Sequence, residues 1–430
     1  MSKSKELLLT AFALFALFFG AGNLLLPPLL GYKAAGDWPI VVLGFAITAV
    51  LIPIIGIYAH AKLQGTMYDF GKKVSPLFSA IFCIVVYAIS IAIPAPRTAA
   101  ATHEIAVYPL FETPSWLTSA IYFALVLVFV LNRSKIMSII GKYLTPLIVI
   151  MLLAVIGIGM FASEAIVHEA TDLSPLTTGV LEGYQTFDAI GAAVVGAVII
   201  ISLNLRGHTD YEFKKQLIWK AGLIAGLGLL VMYAGLVAAG AYYGNDILGA
   251  DAMSSTMQRA TLLRGIIQGT LGAQANTLLS LLLALACFTT AVGIIAGAAD
   301  YFKGVFNEST RVYKLTAVIG CVLGVVIGQL DFHSIIVVAI PVLAFIYPLT
   351  IVLIVLNALP DRYGSAKVFK AVALVTFLFS MPDVISGIWG AEALGNSLAW
   401  IPLSQFSLGW VLPALLTFVF ANFLFPRAAD

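Results

Sequence analysis

Residues 19–28 read Phe19-Gly20-Ala21-Gly22-Asn23-Leu24-Leu25-Leu26-Pro27-Pro28, inside an apolar stretch from Leu7 to Leu30 that is long enough to cross a bilayer. Each Gly weakens a helix by about 1 kcal/mol relative to Ala. The Gly-x-Gly-Asn step therefore marks either a break in the helix or a close helix contact of the small-xxx-small kind. A second interruption reads Glu182-Gly183-Tyr184-Gln185-Thr186-Phe187-Asp188, with Gly191 following. A carboxylate at the centre of a membrane helix costs roughly 2.5–3.5 kcal/mol. Glu182 lies near the outer end of its run, where it can face water, whereas Asp188 is a full turn deeper. Costs of this kind mark function.

The rest of the chain supplies the setting. Of 430 residues, 61% are hydrophobic and 10% charged, against about 25% charged in soluble domains. That deficit excludes a soluble protein, and it leaves no basic stripe for nucleic acid. A ruler of about 20 apolar residues finds twelve spans, at about 7–30, 39–61, 76–100, 114–131, 144–162, 179–203, 217–241, 275–299, 313–330, 334–357, 371–387 and 398–424. The runs do not alternate every second residue, so they predict helices and not barrel strands. Short connections without a shift in composition make residues 1–430 one membrane unit. The start, Met1 to Glu6, leads into the first span with no small-x-small cleavage site, which reads as a retained span. With twelve spans, 19 of the 23 Lys and Arg fall on the side of the N-terminus, and only Lys33, Arg97, Arg259 and Arg264 on the other. The excess places both termini in the cytoplasm.

The two interruptions sit in spans one and six. An odd-numbered set of spans, repeated, inserts its second copy upside down, and interrupted segments in corresponding positions of two halves point to a secondary transporter's binding site. The expected repeats cover about 7–162 and 179–357, with two further helices in about 371–424. A short echo, Leu63-Gln64-Gly65-Thr66 after span two and Ile267-Gln268-Gly269-Thr270 after span seven, agrees with this division. Broken helices expose unpaired backbone groups. The N–H groups of Ala21 and Gly22 suit an anion such as a carboxylate, and the carbonyls from Ala16 to Phe19 suit a cation.

Span eight carries Ala286-Cys287-Phe288-Thr289-Thr290. The two hydroxyls are either hard-cation ligands or bonds to their own helix's i−4 carbonyl. Pro94-Ala95-Pro96-Arg97 breaks the outer end of span three. Arg97 is there an external gate, a partner of Glu104, or, as the sequence slightly favours, a snorkelling anchor. Tyr87 and Tyr184 are candidates for lining a pocket, although aromatic residues in spans more often pack. The outer stretch Met253 to Ile267, with Met257, Leu262, Leu263 and Ile266 at helical spacing, predicts an external lid, and Gln64 to Ser75 is its inner counterpart. Three Cys and five His without ligand spacing predict neither disulfides nor a metal cluster. No Gly-x-x-x-x-Gly-Lys-Ser/Thr, His-Glu-x-x-His or Gly-x-Ser-x-Gly segment occurs, so neither ATP hydrolysis nor an intramembrane enzyme is expected. No span carries a continuous polar stripe, which argues against a channel.

The runs at 19–28, 96–99 (Pro-Arg-Thr-Ala), 182–189 and 286–293 resemble, in order and over essentially the whole chain, the bacterial branched-chain amino acid:cation symporters, the BrnQ-type or LIVCS family. The resemblance implies a LeuT-like fold, all-α with five plus five inverted helices and two more. It implies sodium-coupled import of leucine, isoleucine and valine across the bacterial inner membrane. Partners are then a small amino acid, sodium and the bilayer, with no cofactor and no obligate protein partner. The implied sodium ligands are the carbonyls of Ala16, Phe19 and Ala286 and the hydroxyls of Thr289 and Thr290. The substrate carboxylate falls on the Ala21 and Gly22 N–H groups beside Asn23. Its ammonium falls on carbonyls around Tyr184, Gln185 and Thr186, and its side chain against Tyr87, Phe187 and Phe288. Asp188 either orients the break or assists the ammonium. Ser90-Ile91 stands where the family usually has Gly-Pro, and Phe187 where it has Met, which leaves the substrate preference open. The alternative is a proton-coupled permease for another small zwitterion.

Overall fold

The computed structural model describes residues 3–132, 136–162, 170, 174–248, 255–271, 275–330, 332–389 and 400–425, and among these there are helices and no strands. Span one is split into α1 (Lys3–Phe18) and α2 (Ala21–Ala34). Span two joins α3 (Trp38–Ala46) to α4 (Ile52–Leu63) through a wide turn, and a short α5 (Tyr68–Gly71) follows. Span three runs through α6 (Pro76–Ala92), α7 (Pro94–Ala101) and α8 (Tyr108–Phe111), span four is α9 (Ser115–Leu131), and span five is α10 (Ile136–Ile139) with α11 (Thr145–Ala162). Span six is split into α12 (Pro175–Tyr184) and α13 (Asp188–Leu205), and span seven is the long α14 (Tyr211–Leu248). After α15 (Ser255–Leu271) come spans eight to twelve: α16 (Ala275–Val305), α17 (Thr310–Ile327), α18 (Phe332–Ala358), α19 (Ala366–Trp389) and α20 (Val411–Leu424).

The twelve expected spans each correspond to one of these helical units. Span twelve is shorter than predicted, because Pro402 interrupts the apolar run and Leu403 and Ser407 adopt left-handed backbone before α20 begins at Val411. The stretch expected to form an outer lid is helical, as α15, which lies on α2, α11, α14 and α16, and Leu262, Leu263 and Ile266 are buried as their spacing requires. Met253 and the side chain of Met257 lie outside the described residues. All three cysteines are buried and free, in keeping with a packing role.

Local sequence explains both breaks. At the first, Gly20 is extended, and the Asn23 side chain folds back so that its Oδ1 accepts the Gly20 N–H at 3.0 Å. At the second, successive i to i−3 bonds from Gln185, Thr186 and Phe187 to the carbonyls of Glu182, Gly183 and Tyr184 close a tight turn. Phe187 then takes φ 65°, a conformation that a bulky side chain rarely adopts, and the direction of the chain is reset before α13.

The broken helices sit inside the bundle, with α1 and α2 against α14, and α12 against α3. Small residues permit the approach. A Cβ on Gly31 of α2 would lie 2.7 Å from the Val237 carbonyl carbon and 2.9 Å from the Ala241 nitrogen of α14. Gly31→Val is therefore expected to cost about 1–3 kcal/mol through overpacking, seen as a lower melting temperature of the purified protein. Gly157→Ala, inside α11 where nothing lies within 4 Å, should not lower it and is expected to raise it slightly, because Ala is the better helix former.

Candidate functional site

One side chain ties the two breaks together. Asn23, in the first turn of α2, donates from Nδ2 to Asp188 Oδ2 at 2.7 Å and to the Tyr233 hydroxyl, while its Oδ1 holds Gly20. Tyr233, from the middle of α14, donates to the same Asp188 oxygen at 3.1 Å. Asp188 is 2% exposed and begins α13, where the helix N-terminus favours an acid. Thr186 Oγ1 accepts the Asp188 N–H at 3.3 Å, and the Tyr347 hydroxyl of α18 accepts the Ala189 N–H at 3.3 Å. The start of α2 and the start of α13 are thus held by buried polar groups that satisfy one another.

A second cluster joins α1 to α16. Thr289 Oγ1 lies 2.7 Å from the Ala16 carbonyl oxygen and 3.0 Å from that of Ala286, and Thr290 Oγ1 lies 3.3 Å from Ala286 O. Thr290 bonds its own helix's i−4 carbonyl, while Thr289 bonds the i−3 carbonyl and reaches across to α1. Four neutral oxygens converge from two helices. Phe19, one residue before Gly20, stacks on Phe15 at 5.4 Å. A Cβ on Gly20 would lie 2.9 Å from Thr290 Oγ1, so glycine there lets span eight close onto the break.

Two small cavities adjoin the breaks and share Pro94, Thr186, Phe187 and Thr290. One, about 20 Å³, is bounded by Gly20 to Asn23 and Arg97. The other, about 40 Å³, adds Asp188 and an apolar wall that includes Leu17, Ile190, Val194 and Ile294. A water needs about 10–15 Å³, so these spaces suit one to a few waters and are too small for an amino acid unless the helices part.

Several expected residues are placed elsewhere. Tyr87 stacks on Tyr301 at 4.8 Å, about 4.5 Å along its helix from the cavity residue Ser90 at 1.5 Å per residue. Phe288 packs edge-on against Phe129 and Tyr122 of α9, because residues 288 and 290 lie about 200° apart around α16. Tyr184 packs on Tyr347 at 4.6 Å. Arg97 is no interfacial anchor: the kink at Ile93–Pro94 turns α7 inward, and the side chain donates from Nη1 to Gln185 O at 2.8 Å with 3% of the residue exposed. Glu182 does not simply face water, because Arg259 of α15 pairs with it at 3.1 Å.

On the side of the N-terminus, Arg206 at the end of α13 pairs with Glu6 of α1 at 2.8 Å, and His208 approaches the same carboxylate at 3.6 Å. A cavity of about 660 Å³ lies on that side, bounded by residues that include Thr66, Asn204, Asp300 and Lys303. Ion pairs therefore tie the broken helices at both ends, Glu6–Arg206 joining α1 to the end of α13 and Glu182–Arg259 joining α12 to α15. Sequence reading missed Tyr233, Tyr347 and both pairs. A tyrosine hydroxyl amid the Ala, Gly and Leu of span seven was the available signal, since a buried hydroxyl needs a partner.

Comparison with known proteins gives the same frame. A family model described as branched-chain amino acid transport protein matches residues 3–427. The chain is 32% identical to the branched-chain amino acid transport system 2 carrier protein of Pseudomonas aeruginosa, over 97% of this chain and 96% of that protein. It is also 32% identical to the branched-chain amino acid permease BraB of Bacillus subtilis, over 96% and 93%. Among solved structures, MhsT in complex with L-phenylalanine matches 96% of this chain and 97% of its own with a TM-score of 0.56 at 16% identity, a likeness of fold. The expected LeuT-type arrangement is the fold of the chain.

The Asn23 network is open to a direct test of coupling. Asn23→Ala is expected to destabilise the protein by about 1–3 kcal/mol, because it strips a buried carboxylate of a donor. The double variant with Asp188→Ala should lose less than the sum of the single losses, by more than about 0.5 kcal/mol, in thermal unfolding of the purified protein.

Proposed function

The chain belongs to the branched-chain amino acid transport protein family, and from that premise we propose that it imports leucine, isoleucine and valine by sodium-coupled symport. It works by alternating access in a bacterial cytoplasmic membrane, with both termini inside. The observation that carries sodium as the driver is the convergence of Ala16 O, Ala286 O, Thr289 Oγ1 and Thr290 Oγ1 between α1 and α16. Neutral carbonyl and hydroxyl oxygens suit a hard monovalent cation, and Phe19 O would complete the set on the same helix end. The 19-to-4 division of Lys and Arg supports the orientation.

In this reading the substrate carboxylate lies on the N–H groups of Ala21 and Gly22, and the ammonium lies among the span-six groups from Gln185 to Asp188. The branched side chain enters the apolar cavity between Phe187, Ile190, Val194 and Ile294. No bond of the substrate is made or broken. The pairs Glu182–Arg259 and Glu6–Arg206 are the natural latches of the two gates, and the cavities of about 20 and 40 Å³ fit a state closed around the breaks. One sodium ion moving down a 100 mV potential supplies about 2.3 kcal/mol, and a tenfold gradient about 1.4 kcal/mol more. Coupled one to one, that sustains accumulation of several hundredfold.

Proton coupling is the second reading, and Asp188 is the observation that favours it: a buried carboxylate bonded across both breaks. Leucine uptake into proteoliposomes at fixed pH separates the two. Replacement of sodium by choline is expected to lower uptake at least tenfold, and uptake that is indifferent to sodium but collapses with the proton gradient would overturn the sodium reading. Thr289→Ala combined with Thr290→Ala should raise the sodium concentration for half-maximal uptake at least tenfold. An unchanged sodium dependence would displace the ion site from span eight.

A further inference from the structure

We infer that Arg97 is the residue that recognises the substrate's carboxylate and fixes which way round the amino acid lies, an inference that rests on the transport reading above. The argument starts from charge. The first N–H groups of a helix carry the equivalent of about half a positive charge, and the N-terminus of α2 bounds the same small cavity as the Arg97 guanidinium. A Cβ on Gly22 would lie 3.4 Å from Arg97 Nη2, 3.3 Å from Gln185 O and 3.4 Å from Thr186 Cα. Gly22 thus lets the guanidinium approach the positive end of α2, with the Gln185 carbonyl beside them already taken by Arg97 Nη1. Two positive groups brought together in this way select an anion, and a guanidinium presents its N–H groups in a fork that matches a carboxylate.

The same geometry sets the polarity of the bound zwitterion. Arg97 Nη1 already donates to Gln185 O at 2.8 Å, and the carbonyls of Glu182, Gly183 and Tyr184 accept from the turn. These are poor seats for an ammonium beside a guanidinium. The ammonium is directed instead to the Asp188 side of Thr186, where the second cavity begins. Carboxylate at Arg97, ammonium toward Asp188 and side chain into the apolar wall give a single orientation in which each end meets its opposite.

The kink in span three is what makes this possible. Pro94 and Pro96 open α7, and Ile93 N–H still bonds to Ile89 O at 2.9 Å, so the helix bends without unravelling. Arg97 therefore reaches the centre of the bundle from a segment whose sequence position suggests the outer rim.

The test is the ratio of affinities for an amino acid and its amide, measured by competition with radiolabelled leucine on the purified full-length protein at about pH 6.5, where both compounds carry the ammonium. Leucinamide lacks only the carboxylate charge. Wild type is expected to prefer leucine at least a hundredfold. In Arg97→Gln, leucine binding should weaken at least tenfold while leucinamide stays within threefold of wild type, so that the ratio falls at least threefold. Arg97→Lys, which keeps the charge and loses the fork, should give an intermediate ratio and is the measurement to use where the glutamine variant does not fold. A role confined to structure weakens both compounds together, and an unchanged ratio in either folded variant overturns the inference. If wild type binds a different amino acid in place of leucine, the substrate reading fails and the acid-to-amide ratio for that amino acid still decides the role of Arg97. If no zwitterion binds, both fall.

Discussion

In a bilayer the backbone cannot leave its N–H and C=O groups open to lipid, so a membrane protein that needs bare backbone to grip a polar solute must open its helices inside the bundle and stabilise the open ends with side chains. The Asn23 amide does this for both breaks together. Its oxygen takes the N–H that Gly20 exposes, and its nitrogen reaches the carboxylate that begins α13. Gly20, Asn23, Asp188 and Tyr233 are therefore one unit drawn from three spans. A displacement of either broken helix is felt by the other through a chain of buried hydrogen bonds, each too costly to leave unmade.

Ion pairs at the two ends of the broken helices complement this central tie. A buried pair is a poor source of net stability, because desolvating two charges offsets most of their attraction. That weakness suits a latch. Glu182–Arg259 binds α12 to α15, and Glu6–Arg206 binds α1 to the far end of α13. Hydration of one pair returns much of the Coulomb energy lost on separation. In the proposed transport cycle, hydrophobic clamps of the same size would hold the two ends shut more firmly.

The number of spans and the places of the two breaks were legible in the sequence, because both follow from composition along the chain: apolar length measures a span, and Gly, Pro and a carboxylate inside a span mark where it fails. What resists reading is rotation about each helix axis. A span that is apolar on every side, such as α16, has no face that composition can distinguish, so Thr289 and Phe288 look equally able to reach the centre, yet one meets Ala16 and the other meets Phe129. Tyr87 was lost for a related reason, a displacement of one turn along α6. Arg97 was misplaced because a proline kink changes where the rest of the helix goes, and the sequence gives the kink without its direction. Family resemblance points to backbone groups and paired hydroxyls at spans one and eight, and it says least about the side-chain wall, where Ser90 and Phe187 depart from the usual residues.

In the proposed mechanism the short gap between α1 and α2 is what lets one break serve two solutes of opposite sign. The carbonyl of Ala16 lies in the last turn of α1, at its negative end, and the N–H groups of Ala21 and Gly22 lie in the first turn of α2, at its positive end. Only Phe19 and Gly20 separate the two helices. A cation at the first end lowers the cost of an anion at the second through their mutual attraction, which is strong where water is excluded. A movement of α1 that releases the cation also removes the field and the geometry that hold the anion. In the proposed mechanism coupling needs no dedicated transmission element, because the two sites are opposite faces of the same interruption.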